Sequence, residues 1–178
     1  KYHGQGKWTY KGGSIVYEGQ WKDGKRHGQG MWMNRVGGWL CVWPWNDGKG
    51  RVGVYSDIGV YEGEWKEGRE HGQGKATGID GSVYEGEWKD GLMHGQGKET
   101  LSDGSVYEGE WKHSQRNGQG TLTYSNGGVY EGQWNDGERH GKGKDTDSDG
   151  DVYEGEWKEG KKHGQGKWTD SDGGGYEG

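Results

Sequence analysis

Phenylalanine is missing from this 178-residue chain, which also carries one proline and one cysteine. Leu, Ile and Val fill only 17 positions (4, 3 and 10), so the aliphatic side chains that usually build a core are scarce. On that measure alone the chain would be classed as disordered. The lone Cys41 excludes an internal disulfide, and with it a disulfide-stapled secreted scaffold. Nothing in its surroundings marks it as a reactive thiol. No run approaches the roughly 20 apolar residues of a membrane helix, and no signal peptide is evident. The charge balance is acidic, with 23 Lys and Arg against 29 Asp and Glu for a net −6. Non-specific nucleic-acid binding and attachment to an anionic membrane both need excess cations, so neither is favoured.

What is present in excess is Gly (43), Trp (12) and Tyr (11). Each aromatic side chain offers a large apolar area with a polar edge, enough to replace an aliphatic core. A quarter Gly excludes a helical bundle, because Gly costs about 1 kcal/mol at each helical position.

Self-similarity organises the chain. Tyr-Glu-Gly begins at Tyr17, Tyr61, Tyr84, Tyr107, Tyr130, Tyr153 and Tyr176, and the last five intervals are all 23 residues. The first interval, 44, is two periods less two residues, which a degenerate unit beginning near Trp39 would fill. The array therefore reads as a partial unit over 1–16, units starting near 17, 39, 61, 84, 107, 130 and 153, and the start of another at 176–178. Its terminal units lack polar caps, which predicts a segment of a longer protein or of an assembly.

Each unit reads as a β-hairpin. Tyr84, Gly86 and Trp88 alternate with Glu85, Glu87 and Lys89, the period-2 pattern of a strand with one packed face. Asp90-Gly91 then turns the chain, Gly95 to Leu101 forms a weaker strand, and Asp103-Gly104 leads into the next unit. Short strands joined by tight turns must be antiparallel. The fold expected is all-β: an elongated, single-layer, twisted antiparallel sheet of tandem hairpins. The two glycines of each His-Gly-Gln-Gly, Gly95 and Gly97 here, are expected to face the aromatics and leave bare backbone for the rings.

The unit YEGEWKDG…HGQGK…DGSVY resembles the MORN repeat (membrane occupation and recognition nexus), and the resemblance covers essentially the whole chain. It is fullest over 17–30, 61–74, 84–97, 130–143 and 153–166. The unit at Tyr107 departs with Ser114 and Asn117, and the Trp39–Val60 stretch departs most. The resemblance implies a groove along one face that holds partner segments, and a non-catalytic scaffold of the kind found in radial-spoke heads, cytoskeletal adaptors and membrane junctions. Cytoplasmic residence in a cytoskeletal or ciliary assembly follows by the same analogy. Other members are targeting or regulatory modules of lipid kinases or SET-domain methyltransferases. A carbohydrate-binding repeat is a third, less favoured reading.

Three chemical patterns compete with structural explanations. Asp145, Asp147, Asp149, Gly150 and Glu156 fit an EF-hand loop position by position, but that loop works between helices, and Asp149-Gly150 is this chain's ordinary closing turn. His27, His71, His94, His140 and His163 recur once per unit, roughly 10 Å apart on a sheet, too far to share an ion. They are expected to hydrogen-bond at turns or strand edges. The Glu ladder (Glu18, Glu62, Glu85, Glu108, Glu131, Glu154, Glu177) could suggest paired carboxylates for glycoside cleavage. Lys22, Lys66, Lys89, Lys112 and Lys158 run beside it and are expected to balance it across strands. No catalytic residue, metal or cofactor is therefore expected.

The site expected to bind another protein lies where the pattern fails. Residues 31–45, MWMNRVGGWLCVWPW, cluster Trp32, Trp39, Trp43 and Trp45, with Arg35 at the rim and Pro44 breaking the ladder. Clustered Trp with Met and Arg is what interface centres use. The position of Trp8, Trp32 and Trp168 is filled in the middle units by Ala76, Glu99, Leu122 and Asp145, so the aromatic face is rich toward both ends.

Overall fold

A computed structural model describes residues 1–10, 15–34 and 58–178. These form one antiparallel sheet in chain order, with no helix among the described residues. Its strands are β1 (Gly4–Thr9), β2 (Ile15–Lys22), β3 (Lys25–Asn34), β4 (Ile58–Lys66), β5 (Arg69–Gly78), β6 (Val83–Lys89) and β7 (Leu92–Thr100). They continue as β8 (Val106–Lys112), β9 (Gln115–Thr123), β10 (Val129–Asn135), β11 (Glu138–Thr146), β12 (Val152–Lys158), β13 (Lys161–Thr169) and β14 (Gly175–Glu177). Thirteen interstrand spacings of about 4.8 Å give a sheet roughly 60 Å long.

β3 pairs directly with β4, Gly30 opposite Gly63 and Trp32 opposite Tyr61. The sheet thus runs without a break past the place where a further hairpin was expected, and the unit expected near Trp39 lies outside the described residues.

Two turn types alternate. Within each hairpin, both central residues have positive φ, as at Asp90 (53°) and Gly91 (86°), the type I′ geometry whose twist matches the strands. His113 and Ser114 adopt the same geometry at 51° and 63° without a Gly. Between hairpins the amide of Gly104 donates to the Leu101 carbonyl (3.0 Å) and that of Leu101 to Ser105 (2.8 Å), closing a three-residue loop on a left-handed Gly.

Each hairpin contains a bulge. In β10 and β11, Gly132 faces Gly143, whereas the next residue, Gln133, faces His140. Gly141 and Lys142 leave the hairpin ladder but still pair with Trp157 and Glu156 of β12. The amide freed by the bulge is captured by a side chain: Glu64 accepts from Gln73, Glu87 from Gln96, Glu110 from Gln119 and Gln133 from Lys142, at 2.8–3.1 Å. This explains why each unit carries Glu or Gln three residues after its Tyr.

The same bulge corrects one expectation about glycine. Gly97 does lie beneath the Tyr84 ring, as expected, and so does Gly86. Gly95 instead has φ of 60°, and a Cβ there would meet the Glu87 carboxylate on the polar face. It is needed for the bulge conformation, not for the rings.

Candidate protein-binding face

The aromatic face is a zipper of rings. Tyr107 meets Trp111 of its own unit at 5.2 Å and Trp134 of the next at 5.3 Å, both edge-to-face, and this repeats from Tyr17 to Trp157 at 5.0–5.4 Å. Tyr17 reaches Trp65 directly, the ring counterpart of the β3–β4 pairing. The Trp111 indole donates to the Gly97 carbonyl at 3.3 Å, and the Tyr107 hydroxyl to that of Glu110 at 3.0 Å. Both polar edges are thereby satisfied, which lets the rings bury almost completely in a single layer. Burial raises the Tyr17 and Tyr107 hydroxyls in pKa, and pushes that of Tyr130 up to about 12.

Two rows of second-strand side chains stand on this floor. Opposite the Tyr positions run Trp8, Trp32, Ala76, Glu99, Leu122, Asp145 and Trp168. Opposite the Trp positions run Arg26, Glu70, Met93, Arg116, Arg139 and Lys162. Arg26 stacks 4.2 Å over Trp65, Arg116 5.0 Å over Tyr107, and Arg139 4.6 Å over Tyr130 and 4.8 Å over Trp157. Burial lowers the Arg26 pKa. In the middle of the sheet the rows neutralise each other: Arg116 pairs with Glu99 at 2.9 Å and Arg139 with Asp145 at 3.2 Å. Arg139 also reaches the Tyr124 hydroxyl. The ends remain aromatic, with Trp8 exposed and Trp32 and Trp168 half-buried. Sequence reasoning missed the row opposite Trp; its signal is the residue before each His or Asn of the HGQG segment, a cation in four of these units.

Of the expected binding residues, Trp32 lies on this face, opposite Tyr17 and Tyr61 and packed against the buried rings. Arg35, Trp39, Trp43 and Trp45 lie outside the described residues.

The competing patterns resolve into structure. Asp145 is on the aromatic face, bonded to Arg139, whereas Glu156 is on the other, against Gly164, so the EF-hand frame does not converge. Asp147 caps its own turn, accepting from the amides of Asp149 (2.9 Å) and Asp151 (3.0 Å). His3 and His71 each accept at Nδ1 from the amide at the start of a neighbouring turn, Asp23 and Asp90, at 3.5 Å. No group of three His, Cys, Asp or Glu side chains gathers as a metal site among the described residues.

The Glu ladder is balanced by different lysines from those expected. Lys75 bonds Glu85 at 2.8 Å, Lys98 bonds Glu108 at 2.5 Å and Lys7 bonds Glu18 at 3.3 Å. Lys22, Lys66, Lys89 and Lys158 face Lys25, Arg69, Leu92 and Lys161 at the hairpin ends instead. The pairs form between neighbouring hairpins, where Lys7 faces Glu18, Lys75 faces Glu85 and Lys98 faces Glu108 in unshifted register.

Among solved structures, the TCP domain of SAS-4 (dCPAP) from Drosophila melanogaster, in complex with a proline-rich motif of Ana2 (dSTIL), aligns over 98% of this chain and 83% of its own. The TM-score is 0.49 and the identity 11%. No curated protein matches this chain in sequence. The MORN repeat matches seven segments: 1–15, 17–33, 61–83, 84–106, 107–129, 130–152 and 153–175. These segments supply the tandem hairpins described above, and the chain belongs to the MORN-repeat family.

Proposed function

We propose that this chain is a non-catalytic scaffold that binds other proteins through its aromatic face, within a cytoskeletal or ciliary assembly. The supporting observation is the face itself: one layer of rings, self-neutralised in the middle and aromatic toward both ends, with no second layer over it among the described residues. Trp-rich surfaces beside Arg are where interface energy concentrates. The alternating Lys and Glu of the opposite face satisfy one another and offer little net charge for recognition. Trp32, Trp39, Trp43 and Trp45, with Arg35 at the rim, form the main contact in this reading.

The test is site-specific photo-crosslinking. A photoreactive residue replaces Trp32, Trp45 or Trp168, or Glu108 on the opposite face, and each variant is mixed with axonemal extract or with lipid vesicles. Adducts with the same axonemal protein from the aromatic-face positions, and not from position 108, are expected. Equal labelling from both faces, or labelling of lipid alone, contradicts the proposal.

A further inference from the structure

One position in the row opposite Trp breaks the pattern. Arg26, Arg116, Arg139 and Lys162 lie over the aromatic rings, and Met93 packs against them. Glu70, opposite Trp65, puts a carboxylate in that row. It is half-buried, and its Oε2 lies 3.4 Å from where a Cβ on Gly91 would stand, so the side chain leans along the neighbouring turn. Arg26 and Arg69 attract it from a distance, but it forms no ion pair among the described residues. Ring faces carry negative potential, which makes this a poor place for an anion and a good one for a second cation. Burial accordingly raises its pKa.

Lys162 is the complement. It is exposed, 4.6 Å over Tyr153 and 4.4 Å over Trp168, and has no ion pair among the described residues. Between the two, the ion pairs at Arg116 and Arg139 leave no charge to satisfy.

We propose that the aromatic face receives a protein segment in one direction, with a Lys or Arg of the segment on Glu70 and an Asp or Glu on Lys162. This rests on the reading of that face as the protein-binding surface. From β5 to β13 there are eight strand steps, or about 38 Å. A segment spans that with about 12 extended residues or about 25 helical ones, and its middle should be uncharged. The opposite charges at the two ends fix polarity as well as register, because a reversed segment meets like charges at both.

The test uses the full chain and a displayed library of random peptides long enough for that span. Enriched peptides are expected to carry a cation and an anion separated by this distance. Their affinity should fall about tenfold or more on Glu70→Arg, and return when the peptide cation is changed to Glu. Lys162→Glu should behave in mirror image. Glu70→Gln and Glu70→Arg should melt no lower than the native chain, since they remove an unpaired carboxylate. Peptides that lose binding on Trp168→Ala but not on Glu70→Arg would overturn this inference and leave the protein-binding face standing. Peptides that bind the Glu/Lys face, or no enrichment at all, would overturn both. Self-association abolished by Glu70→Arg would make a second copy the occupant and equally overturn it.

Discussion

Replacing Gly109 by Ala should break the array at its centre. Gly109 faces Gly120 across the hairpin, with Tyr107 lying over both. An added Cβ would stand 2.5 Å from the Gly120 Cα, 2.6 Å from the Gln119 carbonyl oxygen and 2.7 Å from the Tyr107 hydroxyl. The closest of these is about 1 Å inside the 3.4 Å at which ordinary contact begins, and two of the three atoms are backbone. The strands must part or Tyr107 must lift. Overpacking of this kind costs about 1–3 kcal/mol. Lifting Tyr107 also weakens its edge contacts with Trp111 and Trp134, at about 0.5–1.5 kcal/mol each. About 3 kcal/mol is expected, or a fall in Tm of roughly 6–12 °C for a chain this size. Because stability is a sum of neighbour terms, the two halves should also uncouple into separate transitions. Gly127→Ala is the control: its φ is 92°, but nothing lies within 4 Å, so only conformational strain of about 1 kcal/mol is expected. Urea melts followed by Trp fluorescence and calorimetry report both effects. If Gly109→Ala costs no more than Gly127→Ala, the close approach of ring and backbone is not what these glycines serve.

Alkaline stability should fall as pH rises above about 10. Tyr130 is pushed up to about 12 by burial while an unfolded tyrosine ionises near 10, so the unfolded chain loses its proton first and unfolding is favoured across that window; a midpoint that stays flat from pH 10 to 12 contradicts this burial. Glu159 holds φ of 50° at the first central position of a type I′ turn, where Asn is preferred, so Glu159→Asn should add about 0.5–1 kcal/mol in denaturant melts. Loss of stability would mean that the Glu159 side chain has a structural role. Calorimetry with Ca²⁺ should show no micromolar site at Asp145–Glu156, because Asp145 and Glu156 lie on opposite faces. Asp147→Ala should cost about 1 kcal/mol through its two amide bonds, equally with or without Ca²⁺.

The hairpin, its turns and the identity of the packed rings were legible in the sequence because each is encoded locally. Tyr84, Gly86 and Trp88 alternate within five residues, and Asp90-Gly91 specifies its turn by itself. The strict period then forces every unit to repeat the answer, and one face of rings follows from alternation alone. Non-local register was decided only in the folded sheet. The bulge at Gly95 is invisible in a pattern of alternating residues, yet it shifts the second strand by two positions. That shift sets which second-strand residue faces each Tyr, Glu99 opposite Tyr84 among them, from where it meets Arg116. Glu70 stands in a row that elsewhere holds mostly cations. Likewise, only the sheet shows that β3 and β4, far apart in the chain, are direct neighbours. Periodicity counts residues along the chain; hydrogen bonds and ring contacts choose which strands become neighbours.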